Sequence, residues 1–281
     1  WPSLALLSPM AALADLAATM ESEMTDTPNR TYRIGGDIEV NRIGFGAMRL
    51  TGQPGNFGPY EDWEGGISLL RAAADDGVTF FDSARSYGPL TADRIVGEAL
   101  ADRDVALATK GGVDKPEPGR ITADGSRDTL LRQVDESLVN LRRDRIDLFQ
   151  LHRVDPETPV EVSVAALAEA RADGRIAHIG LSNVTREELD RALAVAPIAS
   201  VQNRFNMDET GDDGLVDYTA ARGIAFIPYG PLGANPMQHG AKLAPREALA
   251  WLLERSPNII AIPGTTSVGH MRQNITAWDL L

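Results

Sequence analysis

The chain has 281 residues, 43% of them hydrophobic and 24% charged, which fits one α/β barrel of about 250 residues as well as two ordinary domains. Its 40 acidic against 27 basic side chains leave a net charge of −13, which disfavours nucleic acid and anionic membranes as partners. It contains no cysteine, so disulfides, thiolate metal sites and cysteine nucleophiles are excluded.

The Ala/Leu-rich run from Leu4 to Met20 lacks a basic flank, holds Asp15, and is followed by Glu21 and Glu23. It reads neither as a signal peptide nor as a membrane span. Residues 1–30 are expected to form a disordered extension without function, and Met24 in the run MTDTPNR reads as a natural translation start. From Tyr32 to Val40 the chain alternates around Gly35, Gly36 and Asp37, the pattern of a β-hairpin that plugs one end of a sheet.

Eight short apolar runs follow: Arg42 to Met48, Val78 to Asp82, Val105 to Thr109, Ile146 to Leu151, Ile176 to Leu181, Ala199 to Gln202, Ile224 to Pro228 and Ile259 to Ile262. Amphipathic stretches lie between them, clearest at Asp128 to Leu141, Val160 to Ala172, Arg186 to Ala194 and Arg246 to Glu254. Gly77, Gly174 and Gly223 stand where helices need a left-handed C-terminal residue. With no composition break between the units, residues 31–281 are expected to form a single α/β domain, a closed (β/α)8 TIM barrel with an N-terminal hairpin plug.

Such a barrel carries its chemistry at the C-terminal ends of its strands. Those ends read Asp82, Lys110, His152, Ser182 with Asn183, Gln202, Tyr229, and the loop Gly264 to Ser267. Polar residues gather at strand ends for solvation alone, but three ionisable groups directly following apolar runs are costly unless paired or used.

FDSARSYG (Phe81 to Gly88), the Thr109-Lys110-Gly111 turn, DLFQLH (Asp147 to His152), IGLSN (Ile179 to Asn183), VQNRFN (Val201 to Asn206), YGPLG (Tyr229 to Gly233) and IPGTTS with the following Gln273-Asn274 occur in one order. Together they resemble the aldo-keto reductases, from about Tyr32 to Ile275. VNRIGFGAM, IGLSNVT and ALAWLLERSPNIIAIPGT look closest to a bacterial branch that includes NADPH-dependent pyridoxal reductases.

The resemblance implies an oxidoreductase that reduces an aldehyde or ketone, a small-molecule carbonyl substrate, by hydride transfer from NADPH, with NADH as the alternative donor. Tyr87 is the implied proton donor, and Lys110, held charged by Asp82, would lower its pKa from about 10. His152 would bond the carbonyl oxygen. Ser182, Asn183 and Gln202 are implied partners of the nicotinamide carboxamide, Tyr229 of its ring, and Gly46, Ala47 and Met48 of its ribose. Backbone at Gly230, Leu232 and Gly233 would approach the pyrophosphate. Thr265, Thr266, Ser267 and His270 would bond the extra phosphate of NADPH, with Arg272 nearby, and Gln273 and Asn274 would hold adenine. Many relatives have a lysine or arginine at the positions of Gly264 and His270; this chain has neither.

No GxGxxG fingerprint is present, so the dinucleotide is expected to lie extended across the barrel mouth. Phe57, Tyr60 and Trp63 are candidate walls of a substrate site left open by a short segment after Gly233 and an early end after Trp278. His178 reads as structural, and Met207, Met237 and His239 receive no role. Two other readings stay open: a Schiff-base barrel aldolase using Lys110, and a nucleotide-binding regulatory subunit with negligible turnover. Four histidines without HExxH or a ligand cluster argue against a metal. The chain is expected to be a cytoplasmic monomer or weak homo-oligomer, with no nucleic-acid or membrane partner.

Overall fold

A computed structural model describes residues 28–233 and 244–281. The Leu4 to Met20 run, Met24, Met237 and His239 lie outside the described residues. Asn29 and Arg30, at the end of the expected extension, are tied to the fold: the Asn29 carbonyl accepts from Arg42 at 2.9 Å and the Arg30 guanidinium lies 5.6 Å from the Trp278 ring centroid.

The hairpin forms as expected, with β1 (Thr31–Ile34) antiparallel to β2 (Ile38–Asn41). Gly35 and Gly36 turn the chain at φ +64° and +91°, a region that glycine enters freely. Ile34 and Val40 insert from the hairpin into a cluster with Phe80, Ala108, Leu148, Ile227 and Ile260, which fills the barrel interior. His178 Nε2 pairs with Asp37 Oδ1 at 2.6 Å, and its ring sits where a Cβ on Gly35 would lie. His178 is therefore a fastening of the plug, at the end of the barrel away from the strand C-termini.

The barrel then runs β3 (Phe45–Gly46), α1 (Trp63–Asp75), β4 (Phe80–Asp82), α2 (Thr91–Leu100), β5 (Ala106–Gly111), a second hairpin of β6 (Val113–Glu117) and β7 (Arg120–Ala123), and α3 (Arg127–Leu141). It continues with β8 (Ile146–Leu151), α4 (Val160–Ala172), β9 (Ile176–Ser182), α5 (Arg186–Leu193), β10 (Ser200–Gln202), α6 (Asp213–Ala220), β11 (Ala225–Phe226), α7 (Pro245–Arg255) and α8 (Val268–Ile275). Seven strands pair in parallel in the order β11-β10-β9-β8-β5-β4-β3. Residues 259–262 close the ring through parallel bridges from Ile259 to Phe226 and from Ala261 to Ile43. This eighth unit makes isolated bridges rather than a continuous ladder. It is held by hydrogen bonds such as Gly44 N to the Ala261 carbonyl at 2.8 Å and Ile260 N to the Phe226 carbonyl at 2.9 Å.

Side chains alternate across each strand. Phe81, Leu107, Phe149, Ile179, Val201 and Phe226 pack outward against the helices, in a second cluster distinct from the interior one. Helix ends match their sequence signals: Thr185 and Glu188 form a capping box on α5, and Gly77, Gly174 and Gly223 follow helices at φ +93°, +79° and +67°. The β6–β7 hairpin was not among the expected elements.

Candidate active site

The alternation that fills the barrel also aims the site. Phe80 and Asp82 share a face of β4, Ala108 and Lys110 of β5, and Leu148, Gln150 and His152 of β8 and its end, so the last inward residue of each strand is polar. Asp82 and Lys110 are almost completely buried, at 2% and 1% exposure. Lys110 Nζ donates to Asp82 Oδ2 at 2.6 Å and to the Ser83 carbonyl at 2.7 Å, and stands 5.1 Å from the Tyr87 ring centroid. Burial opposes the charge on Lys110, but Asp82 and Tyr87 outweigh it and raise the lysine pKa, so Lys110 is a fixed ammonium.

Tyr87 follows β4 in a turn. Its backbone N–H bonds the Ala84 carbonyl at 2.9 Å, while Arg85 anchors the same turn by donating to the Lys110 carbonyl at 3.2 Å through its N–H. The Arg85 guanidinium reaches Glu136 on α3 at 2.6 Å and also bonds Asp114 on β6. Tyr87 and His152 are hemmed in by protein on most sides yet keep an edge open at the mouth, their rings 5.8 Å apart in a T-shaped contact. Burial pushes the Tyr87 hydroxyl above its usual pKa, against the pull of Lys110 and with a smaller push from Asp82. The expected lowering thus holds for the lysine's own contribution, whereas the net direction is upward, because the sequence does not reveal how deeply the ring is enclosed.

His152 is pulled well below the ordinary imidazole pKa by burial, then by Lys110 and Arg153, and is neutral. Its Nδ1 faces Ser86 Oγ at 3.3 Å. With the serine hydroxyl donating, the proton sits on Nε2, and the ring presents an N–H donor. Its backbone is fixed by Gly111 and by the Asn183 amide, which donates to the His152 carbonyl at 3.1 Å.

The implied cofactor residues line the same mouth from β9 round to α8. Asn183 adopts φ +57° directly after β9, and accepts from the Tyr229 hydroxyl at 2.7 Å while donating to Ser182 Oγ at 3.0 Å. Gln202 does not stand free: its Nε2 donates to Asp82 Oδ1 at 3.0 Å. Gly230 and Gly233 have φ +65° and +88°, and the Gly233 amide closes a turn onto the Gly230 carbonyl at 3.0 Å, with half-buried Leu232 between them. Ala47 is fully buried, while Met48 is 41% exposed beside it. Gly46 and Gly264 approach closely, since a Cβ on Gly264 would lie 2.8 Å from the Gly46 carbonyl oxygen.

Ser267 caps α8, accepting from His270 N at 3.4 Å and donating through its own N–H to Thr265 Oγ1 at 3.1 Å. His270 and Gln273 are exposed and Asn274 is buried. The Tyr60 hydroxyl lies beside Thr266, so this candidate wall sits next to the segment after residue 262. Trp63 lies within α1 under the Arg94 guanidinium at 5.7 Å. Arg272, which the resemblance sets near the cofactor phosphate, pairs with Asp76 at 2.8 Å. Arg49 packs its Cγ 3.5 Å from the Cβ position of Gly264, is exposed, and has no ion-pair partner among the described residues. The donors, the open left-handed glycines and the α8 N-terminus fit a dinucleotide.

Three groups escaped the sequence reading. Gln150 donates to Asp82 Oδ1 at 3.1 Å. Asp93 on α2 is fully buried and takes hydroxyls from Ser83 at 2.6 Å, Thr109 at 2.8 Å and Ser137 at 3.1 Å. Ser86 fixes His152. Gln150 shares a β8 face with His152, a signal that the two-residue period contained.

Residues 42–246 match the profile of the aldo/keto reductase family. The chain belongs to the aldo/keto reductase family. It is 39% identical to pyridoxine 4-dehydrogenase of Escherichia coli over 87% of this chain and 92% of that protein. It is 35% identical to an uncharacterized oxidoreductase of Schizosaccharomyces pombe over 86% of this chain and 83% of that one. Among solved structures it is similar to glycerol dehydrogenase from Gluconobacter oxydans, with TM-score 0.77 and 25% identity, covering 88% of this chain and 90% of that one. No group of metal-ligating side chains and no helix long and apolar enough to cross a membrane occurs among the described residues.

Proposed function

We propose that this aldo/keto reductase uses NADPH to reduce an aldehyde to a primary alcohol, with Tyr87 as proton donor and pyridoxal as substrate. The observation that carries the reading is the buried Lys110 ammonium, gripped by Asp82 at 2.6 Å and set beside the Tyr87 ring. The E. coli relative at 39% identity supports the choice of substrate.

The bound nicotinamide supplies the hydride that none of these side chains can provide. His152 Nε2–H bonds the carbonyl oxygen and orients the carbonyl. Tyr87 delivers its proton to that oxygen as negative charge develops, and Lys110 stabilises the tyrosinate left behind. Asp82 keeps Lys110 charged. Solvent at the open edge restores the tyrosine proton, so aldehyde, hydride and proton balance to alcohol.

A Schiff-base role for Lys110 fits poorly, because a nucleophilic amine must shed the proton that Asp82 and the Ser83 carbonyl hold here. NADPH carrying deuterium at its transferable position distinguishes the two. Deuterium on the carbinol carbon of the product is the expected result; a borohydride-trapped adduct on Lys110 without label transfer contradicts it.

Arg49 supplies the cation missing at Gly264 and His270, and grips the extra phosphate of NADPH. Arg49→Leu is expected to weaken NADPH binding about tenfold, the size of one charge-assisted hydrogen bond, and to leave NADH within about twofold. Fluorescence titration of both cofactors checks this, and equal loss for the two contradicts it.

The lowered His152 pKa has a consequence for pH dependence. The imidazole remains neutral as pH falls through about 6.5, so kcat for reduction is expected to show no His152 limb there. A limb near that pH that vanishes in His152→Gln contradicts the assignment.

A further inference from the structure

The two oxygens of Asp82 are used differently. Oδ2 takes the Lys110 ammonium at 2.6 Å. Oδ1 takes two side-chain amides, from Gln150 Nε2 at 3.1 Å and from Gln202 Nε2 at 3.0 Å, and Gln202 Nε2 also reaches Gln150 Oε1 at 3.3 Å. Gln150 is wholly buried and Gln202 is 2% exposed. A buried amide is costly unless its donors and acceptor are bonded, so a glutamine at the inward position above Leu148 calls for a reason.

The strands make room for it. Lys110 on β5, Gln150 on β8 and Gly180 on β9 are register neighbours. A Cβ on Gly180 would lie 2.8 Å from Gln150 Cγ. The glycine of IGLSN therefore leaves space for the Gln150 side chain.

We propose that Gln150 is a positioning residue of the proton relay: with Gln202 it clamps Oδ1 of Asp82 and leaves Oδ2 alone to Lys110. A carboxylate without these amides is free to turn both oxygens onto the ammonium and to neutralise it more fully. Two donors on Oδ1 draw negative charge to that side and leave more of the lysine's field for Tyr87. The groups that face Tyr87 are Lys110 from β5, Asp82 from β4, His152 from the end of β8 and Tyr229 beyond β11. Lys110 also bears on Asp93 of α2, and Arg153 bears on His152. The role in catalysis rests on the carbonyl-reduction reading; the clamp itself stands on the free protein.

The test compares wild type, Gln150→Leu and Gln150→Glu. In Gln150→Leu, kcat is expected to fall about tenfold, with the aldehyde KM and the NADPH Kd within about twofold. The limb on which alcohol oxidation rises with pH is expected to move to higher pH, as the less assisted tyrosine holds its proton more tightly. In the cofactor-free protein, the 13C resonance of the Tyr87 hydroxyl-bearing carbon, identified by its loss in Tyr87→Phe, is expected to titrate at higher pH than in wild type. A folded Gln150→Leu in which neither the limb nor the titration of the resonance moves to higher pH overturns the proposal, whatever its kcat.

If the leucine variant does not fold, Gln150→Glu decides, because its introduced carboxyl donates to Oδ1 only while protonated. Activity close to wild type in acid and falling as pH rises supports the clamp, and a loss independent of pH overturns it. A wild-type chain that oxidises no NADPH with any aldehyde defeats the reductase reading, while the resonance still decides the clamp.

Discussion

Tyr87→Phe is expected to lower kcat for aldehyde reduction by about 10²–10⁴-fold, the usual contribution of a positioned general acid. NADPH affinity is expected to stay within about twofold, because the substitution removes a hydroxyl and keeps the ring. That ring contributes the contact with Lys110 at 5.1 Å and the T-shaped contact with His152 at 5.8 Å, so the variant preserves the packing of the mouth. The barrier rises because the developing alkoxide has no proton source, and neutral His152 cannot stand in as an acid of suitable strength. Single-turnover rates with saturating NADPH, paired with fluorescence measurement of cofactor binding, separate the two effects. A variant that turns over at wild-type rate removes Tyr87 from the acid role. One that loses cofactor affinity in proportion to its rate shows that the hydroxyl matters for binding.

Arg42→Met carries the largest expected cost to stability. Arg42 is completely buried and no carboxylate meets it among the described residues. Its guanidinium instead donates to four carbonyls: Ile259 at 2.9 Å, Asn29 at 2.9 Å, Leu253 at 2.8 Å and Ser256 at 2.6 Å. The Trp278 ring lies 5.8 Å from the guanidinium carbon. Burial draws the Arg42 pKa down to about 10, which still leaves it charged at neutral pH. One side chain thus joins the segment before β1, the C-terminal end of α7 and the residues that close the barrel between β11 and β3. Methionine fills much of the space but leaves those carbonyls short of a donor. A loss of about 3–5 kcal/mol follows from hydrogen bonds to a charged group, or roughly 10 °C in Tm for a chain of this size. Calorimetry of the variant checks this, and a Tm within about 2 °C of wild type would show that water or relaxation replaces the lost donors.

The barrel was legible because its strands are short apolar runs at regular spacing, and because helices such as α5 bury one face, Leu189 and Ala192, and expose the other. The closing unit was legible as an apolar run, Ile259 to Ile262, but not as a set of bridges, since pairing depends on both neighbouring strands. The β6–β7 hairpin was missed because Val113–Glu117 is polar and contains Pro116. Its turn signal was present in Pro118-Gly119, with Gly119 at φ +79°.

At the site, the strand ends named Asp82, Lys110 and His152 because ionisable groups after apolar runs are conspicuous. Gln150 was hidden inside such a run, where an uncharged residue draws less notice. Asp93 was hidden in a helix, its three hydroxyl partners contributed by the residue after β4, by β5 and by α3. The pairing of Arg272 with Asp76 joins residues 196 positions apart, beyond the reach of any local pattern. The net direction of the Tyr87 pKa depends on how the turn after β4 folds against its neighbours, which is a property of packing.

The proposed reaction is the reduction of pyridoxal by NADPH with Tyr87 as proton donor. The most direct measurement follows the loss of NADPH absorbance on adding pyridoxal, with the product identified and Tyr87→Phe run in parallel. Stoichiometric formation of pyridoxine, a kcat/KM above that for simple aldehydes, and collapse of the rate in the variant are the expected results. Tight NADPH binding without turnover on pyridoxal or any other aldehyde would contradict it.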